Sequence, residues 1–260
     1  MNKNSPALRV NNLTKDFGGL RAVDTISFQV EEGEFVGLIG PNGCGKTTSF
    51  NCISGLLPVT SGTIEVLGKN ATGMRPDQVQ KIGLTRTFQH TRLWKEMTVI
   101  ENLLVPPRNQ FAPNPVLSLL LPGSRSSEKR RIEEAYEILD MLEISHIAHS
   151  LAGELSGGQS KLVDIGRALM SSPKFLLLDE PVAGVAGPLA ERIFQNLRAL
   201  TSEKGIGMLI IEHNMGFILR RDVDRIIVMD RGTVLIEGKP EIIRKSKNVV
   251  EAYLGDSGVN

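Results

Sequence analysis

Residues 35–53 read FVGLIGPNGCGKTTSFNCI, and this stretch decides the fold of the chain. The near-continuous apolar run Phe35–Ile39 is typical of a strand that is buried on both faces. Residues 40–48 match the pattern G-x-x-x-x-G-K-[ST], and residues 46–53 have helical character. A strand, a glycine-rich loop and a helix in this order predict the start of a βα unit that cradles phosphate groups. The alternative is an ordinary glycine turn before a helix, which the motif in this context argues against.

The residue types of this phosphate loop suit a nucleoside triphosphate. Glycines tolerate positive φ angles, so backbone N–H groups can curl round a phosphate, and the helix N-terminus adds a favourable dipole. Lys46 can reach the β- and γ-phosphates as a point charge, the Thr47 hydroxyl is placed to ligate Mg²⁺, and Thr48 can contact an α-phosphate. The predicted nucleotide-binding residues of the loop are Gly40, Pro41, Asn42, Gly43, Cys44, Gly45, Lys46, Thr47 and Thr48.

Two acidic residues follow a second apolar strand, residues 175–178. Asp179 would lie at the carboxyl edge of the sheet, where ligands bind in open α/β folds, and would hold the metal directly or through water. Glu180 comes next and is suited to polarise an attacking water as a general base. The alternative, a polar strand end capped by two acids, is the weaker interpretation beside a phosphate loop.

Composition excludes several classes of function. The 260 residues allow one large domain or two small ones, at roughly 100–200 residues per domain. Thirty Lys and Arg against 29 Asp and Glu give a net charge of +1, so there is no bulk electrostatic reason to bind nucleic acid. The two cysteines, Cys44 and Cys52, form no zinc-like cluster with histidine. Without a signal peptide or a membrane-length apolar run, we expect a soluble intracellular protein.

The chain reads as an α/β core with a helical insert. We expect one domain over residues 1–260, with the core at about 8–88 and 169–255 and a helical subdomain at about 89–168. Prolines interrupt residues 106–123, so no long element crosses them. The predicted strands are 8–13, 25–30, 35–39, 63–67, 175–178, 208–211, 226–229 and 233–237, and the predicted helices are 46–53, 130–142 and 189–200, with another beginning near residue 161.

Two further features make the motif set specific. LSGGQ occupies residues 155–159 just before a predicted helix, and His213 follows the strand at 208–211. With Gln89 in the triplet TFQ, the chain resembles the ATP-binding subunit of ABC transporters from about residue 8 to residue 255. This resemblance implies a P-loop NTPase core with an antiparallel β subdomain and an inserted α-helical subdomain. It also implies an ATPase that uses ATP and Mg²⁺.

The resemblance assigns roles to residues of this chain. Two subunits would face each other head to tail, and each ATP would lie between Lys46 of one chain and the signature of the other. Glu180 would be the general base, Gln89 would touch Mg²⁺ and water, and His213 would contact the γ-phosphate. Phe17 is in the place of an adenine-stacking aromatic residue, with a core residue as the alternative. The implied signature residues are Ser156, Gly157, Gly158 and Gln159; the implied metal ligands are Thr47, Gln89 and Asp179; and the implied catalytic residues are Glu180, His213, Gln89 and Lys46.

Several segments are similar to one branch, the ATP-binding subunits of bacterial branched-chain (hydrophobic) amino acid importers. These are residues 17–20, 82–89, 97–103 and 252–255, and the proline-broken insert also fits. The implied partners are a second cassette (the same chain or a paralogue), transmembrane permease subunits and, indirectly, a substrate-binding protein, with no nucleic acid. The implied location is peripheral, on the cytoplasmic face of the bacterial inner membrane. Sister systems of this branch take urea or short amides.

Some residues depart from the family pattern or leave alternatives open. The family usually has Asp or Asn where Ala186 stands, which bears on coupling between the two sites. Cys44 at a helix N-terminus suggests a thiol of lowered pKa whose alkylation blocks ATP binding, or a small residue that merely fits. Leu93 and Trp94 could dock a membrane subunit, or Trp94 could be a core residue. The alternative functions are a soluble ATPase of the same superfamily that acts in DNA repair or on ribosomes, a P-loop kinase or GTPase, and a regulator that binds nucleotide without hydrolysing it.

Overall fold

The structure, a computed structural model, describes residues 6–88, 92–105, 124–212 and 223–255. They divide into two compact units. The first, called here the sheet unit, takes the described parts of residues 1–89, 173–183 and 197–260, and the second, the helical unit, takes those of 90–172 and 184–196.

The strands form two sheets in the sheet unit. The strands are β1 Leu8–Phe17, β2 Leu20–Val30, β3 Phe35–Ile39, β4 Ser61–Val66, β5 Lys69–Asn70, β6 Leu84–Arg86, β7 Phe175–Asp179, β8 Gly207–Ile211, β9 Arg225–Asp230 and β10 Thr233–Gly238. One sheet is antiparallel with the order β2-β1-β4-β5. The other has the order β10-β9-β3-β8-β7-β6 and is parallel except for β10, which pairs with β9 as an antiparallel hairpin.

The helices are α1 Lys46–Ile53, α2 Pro76–Lys81, α3 Val99–Leu104, α4 Ser124–Met141, α5 Gly157–Leu169, α6 Gly187–Lys204, α7 Pro240–Lys245 and α8 Lys247–Gly255. In the part of the chain that the structure describes, no helix combines the length and the apolar character that a membrane span requires. Together the elements confirm the predicted fold class, with a parallel core sheet, an antiparallel sheet and a group of helices.

The middle of the parallel sheet determines where a ligand can bind. Every residue of β3, β7 and β8 is buried, as the apolar runs of the sequence predicted. Since parallel strands run in one direction, their carboxyl ends meet at one edge of the sheet. That edge carries Gly40 after β3, Asp179 at the end of β7 and Glu212 after β8.

Two helices of the helical unit begin with the same N-terminal motif, a capping box. Ser156 caps α5 and Thr98 caps α3, each through a side-chain oxygen that accepts the N–H of the residue three positions on. Gln159 and Glu101 reach back to the cap residue's backbone N–H and complete the capping boxes. The capping box starts α5 at residue 157, four residues before the predicted start.

Other boundaries also differ from the sequence-based expectation. β1 extends to residue 17 and β2 begins at residue 20, because the two strands pair as a hairpin. Register irregularities within this pair interrupt the alternation of apolar and polar residues from which strands are predicted. β5, β6, α2, α3, α7 and α8 were not predicted; apart from α8, each has six residues or fewer. Such short elements carry too little periodicity for detection.

Asn102 organises the start of the helical unit. Its side chain is fully buried, and its Oδ1 accepts the backbone N–H of Trp94 at 2.9 Å. Its Nδ2 donates to the carbonyl oxygens of Trp94 and Thr98, each at 3.0 Å. The amide therefore fixes the loop that precedes α3.

Replacing Asn102 with alanine leaves the backbone N–H of Trp94 without this acceptor and removes one donor from each of the two carbonyl oxygens. We expect a loss of about 1–3 kcal/mol in the free energy of unfolding, measured by urea denaturation. Asn11→Ala is the control, since its side chain makes one long exposed hydrogen bond of 3.5 Å to Thr63. Equal stability of the two variants would contradict this role.

Candidate functional site

Two glycines of the phosphate loop are required by close backbone approaches. A Cβ on Gly40 would lie 2.1 Å from the carbonyl oxygen of Met229. Gly45, the residue before α1, has a φ of 101°, and a Cβ there would lie 2.5 Å from the carbonyl oxygen of Ala22. Any other residue at either position would displace the backbone. The glycines thus allow the loop to turn tightly between β3 and α1.

Lys46 is held inside the loop. Its side chain is buried, and Nζ donates to the carbonyl oxygens of Gly40 at 2.7 Å and Pro41 at 2.8 Å. Nζ also lies 3.6 Å from the Sγ of Cys44. These contacts fix the ammonium group among the backbone groups that the motif provides for phosphate. Thr47 comes next, exposed in the first turn of α1.

The structure contradicts a lowered pKa at Cys44. The residue is 3% exposed, and burial raises the pKa of its thiol, while the nearby ammonium of Lys46 opposes the rise only in part. The loss of hydration outweighs the helix N-terminus in this loop. Cys44 is therefore a small buried residue whose thiol is held in its protonated form.

Alkylation of Cys44 by iodoacetamide in the native protein at pH 7.5 should be about tenfold or more slower than in urea. The rate should rise steeply with pH above the ordinary cysteine range, because only the thiolate reacts. Mass spectrometry of the labelled peptides separates it from Cys52, whose pKa burial raises to about 11. Labelling of native Cys44 at the rate found in urea would contradict this prediction.

The two predicted carboxylates differ in their surroundings. Asp179 is 4% exposed, and its Oδ2 accepts a hydrogen bond of 2.8 Å from Arg86. Glu180 is partly exposed, and its backbone N–H donates to the carbonyl oxygen of Ile211 at 3.0 Å. Its φ of 48° is in the left-handed region, which few residues other than glycine adopt. Such strain is concentrated at functional sites, where it directs a side chain.

The available donors suit magnesium. Mg²⁺ prefers oxygen ligands, and the Thr47 hydroxyl and Asp179 carboxylate are such donors in the same sheet unit. Among the described residues, no group of three His, Cys, Asp or Glu side chains could hold a metal. Few protein ligands are typical of magnesium that binds together with nucleotide phosphates.

The signature residues lie at the N-terminus of α5 in the helical unit. Ser156 and Gly157 are exposed, whereas Gly158 is buried against Leu189, whose Cδ2 would lie 2.4 Å from an added Cβ. Gln159 is partly exposed and accepts the backbone N–H of Ser156 at 2.9 Å. The helix N-terminus therefore presents a small, polar surface that suits an anion.

Phe17 and Trp94, each predicted as either a binding residue or a core residue, are both exposed. Phe17 is 45% exposed at the end of β1, with the Nζ of Lys15 4.9 Å from its ring centre. Trp94 is 44% exposed, and the guanidinium of Arg167 lies 4.5 Å from its ring centre. Neither is a core residue. Gln89 and His213 lie outside the described residues.

Sequence reasoning missed the contribution of the C-terminal helix. Tyr253 in α8 lies with its hydroxyl against the backbone of Gly40, and burial raises its pKa to about 12. A cavity of about 190 Å³ is bordered by the phosphate loop on one side and by Glu251 and Ala252 on the other. In the sequence, residues 252–255 indicate only the branch of the family, and no local pattern predicts this contact.

Known proteins match the part of the chain that carries this site. A family model described as ABC transporter matches residues 23–183, which include the phosphate loop, the signature and both carboxylates. The chain is 42% identical to a probable branched-chain amino acid transport ATP-binding protein LivG of Methanocaldococcus jannaschii, over 96% of the chain and 97% of the relative. It is 39% identical to the high-affinity branched-chain amino acid transport ATP-binding protein BraF of Pseudomonas aeruginosa, over 97% and 99%.

Solved structures are similar as well. The ADP conformation of MJ1267, an ATP-binding cassette of an ABC transporter, has a TM-score of 0.84 and 40% identity, over 97% of this chain and 100% of that one. The dimeric structure of MJ0796, a bacterial ABC transporter cassette, has a TM-score of 0.74 and 28% identity, over 90% and 98%.

Proposed function

Because the chain belongs to the ABC transporter family, as an ATP-binding subunit whose ATP hydrolysis is coupled to transport, we propose that its transporter imports branched-chain or other hydrophobic amino acids. The observation that carries this proposal is a sequence identity of 38–42%, over nearly the full length, with relatives named for branched-chain amino acid transport. Urea or a short amide is the alternative substrate class within the same branch.

The proposed chemistry is in-line attack of water on the γ-phosphate of ATP. Glu180 accepts the proton of the water; it is partly exposed, whereas Asp179 is buried. Lys46 exchanges its loop carbonyls for phosphate oxygens and balances their charge. Thr47 and Asp179 would hold Mg²⁺, which supplies charge stabilisation for the phosphates when bound. We propose Gln89 as a further contact to Mg²⁺ and the water, and His213 as a contact to the γ-phosphate.

ABC cassettes dimerise and work with transmembrane permeases, and we propose a head-to-tail dimer here. Ser156, Gly157, Gly158 and Gln159, at the N-terminus of α5, would bind the γ-phosphate held by Lys46 of the other chain. Phe17 would stack on adenine, which agrees with its exposure. The site would be complete only in the dimer, so hydrolysis would be coupled to closure.

We propose that the chain is attached to its permease on the cytoplasmic face of the bacterial inner membrane. Trp94 and Leu93, which follow Gln89, would form part of the docking surface, since Trp94 is exposed. A substrate-binding protein would deliver the amino acid to the permease and would not touch this chain.

Uptake of radiolabelled leucine in cells that lack the gene tests the substrate class. We expect uptake to fall and to be restored by the wild-type gene but not by Glu180→Gln. Unchanged uptake of leucine, isoleucine and valine, with loss of urea uptake, would replace the amino acid proposal by its alternative.

A further inference from the structure

Arg86 connects to the predicted metal ligand Asp179 in the interior of the sheet unit. It is the last residue of β6, and its Nη2 lies 2.8 Å from the Oδ2 of Asp179. Their side chains are 6% and 5% exposed, so water screens this ion pair very little. A buried pair of this kind fixes the rotation of the carboxylate.

The other side of the same guanidinium group binds the helix of the phosphate loop. Its Nη1 donates to the Oδ1 of Asn51 at 2.6 Å and to the Oγ of Ser54 at 3.1 Å. Asn51 lies four residues after Thr47 in α1, and residues with this spacing share a helix face. Arg86 thus connects the element that carries Thr47 to the carboxylate of Asp179.

Two aromatic rings hold the guanidinium in place. The ring centres of Phe50 and Phe88 lie 5.6 Å and 5.4 Å from the Cζ of Arg86, within the range of cation–π attraction. Stacking and a planar fork of donors are properties of arginine that lysine lacks. The surroundings of this residue therefore require its shape as well as its charge.

We propose that Arg86 is a positioning residue that presets Thr47 and Asp179 for the metal of the MgATP complex. The inference rests on the magnesium site proposed above. Arg86 occupies Oδ2 of Asp179 and leaves Oδ1 to the metal or its water, while Asn51 and Ser54 keep α1 in register with β7. Loss of the guanidinium fork lets the buried carboxylate rotate and separates the two metal ligands.

The test is the contribution of Mg²⁺ to nucleotide affinity. Calorimetry gives the Kd of adenylyl imidodiphosphate, which is not hydrolysed, once with Mg²⁺ and once with EDTA, and the ratio of the two is the metal gain. Removing a group that orients metal ligands typically lowers metal affinity about 10–100-fold, so Arg86→Lys and Arg86→Met should each lower the gain about tenfold or more. The Kd in EDTA should change far less.

Arg225→Lys is the matched control. Arg225 forms a two-contact ion pair with Glu34 at 2.8 and 3.1 Å in the same unit, away from the phosphate loop. This variant should lose thermal stability and keep the wild-type metal gain. A structural effect and a positioning effect are thereby separated.

Each outcome decides a different claim. A folded Arg86→Lys protein with the wild-type metal gain overturns the positioning role, because charge alone would then suffice. A gain that rises in Arg86→Met overturns it too, because the guanidinium would then only repel the metal. If the wild type shows no gain from Mg²⁺, the magnesium site itself fails.

Asn51→Ala covers the case in which neither Arg86 variant folds. It removes one contact of the guanidinium and leaves the ion pair with Asp179 intact. We expect a loss of the metal gain of about threefold, below the range of about 10–100-fold for Arg86 itself, because the ion pair that orients the carboxylate remains. An unchanged gain in folded Asn51→Ala overturns the link between α1 and Asp179.

Discussion

Glutamine in place of Glu180 should lower the rate of ATP hydrolysis by a factor of about 10²–10⁴, the usual size of a general-base contribution. The amide has nearly the shape of the carboxylate but cannot accept the proton of the attacking water. The backbone of residue 180, with its φ of 48° and its hydrogen bond to Ile211, does not depend on the carboxylate. ATP binding and the fold should therefore be retained.

Phosphate release under saturating MgATP measures this rate, and calorimetry measures ATP affinity. Glu241→Gln is the control, an exposed carboxylate in α7 that should leave both quantities unchanged. Hydrolysis at the wild-type rate by Glu180→Gln would remove Glu180 from the chemistry. Equal losses of affinity and rate would assign it to nucleotide binding instead.

Replacing Lys46 with alanine should lower the affinity for ATP by a factor of about 10–100, the value of a hydrogen bond to a charged group. The ammonium group is buried, and its partners are the carbonyl oxygens of Gly40 and Pro41. It can exchange these for phosphate oxygens without entering water. The variant also loses the groups that hold the loop together, so binding in EDTA should fall as well.

Calorimetric titration with ATP and a thermal melt together test the role of Lys46. Lys81→Ala is the matched control, because Lys81 is 78% exposed and pairs only weakly with Asp77 at 3.9 Å. Unchanged ATP affinity in Lys46→Ala would contradict the assignment of residues 40–48 as the phosphate cradle.

The sequence predicts the centre of the site well, because its signals are local. β3, the phosphate loop and α1 are contiguous, and Asp179 directly follows an apolar strand that is buried throughout. Ser156 shows a weaker case: the predicted helix begins near residue 161, whereas the capping box at Ser156 starts α5 four residues earlier. Local chemistry could have corrected that boundary.

Contacts between distant segments could not be predicted. Arg86 meets Asp179 across 93 positions, and Tyr253 meets Gly40 from the far end of the chain. Cys44 illustrates the energetic side of the problem. A helix N-terminus lowers a thiol pKa and burial raises it, so the result depends on the extent of burial, which is a property of the folded chain.

The central claim is that a complete hydrolytic site needs two cassettes, and the mass of Glu180→Gln in solution tests it most directly. Light scattering should show a monomer without nucleotide and a doubling of mass with MgATP, because the variant binds ATP but does not release the dimer by hydrolysis. If Glu180→Gln binds ATP but stays monomeric, and the wild-type chain alone does not hydrolyse ATP, the second half of the site belongs to a different cassette. A monomer that binds MgATP, under conditions in which the wild-type chain hydrolyses it, would contradict the claim, since one chain would then hold the whole site.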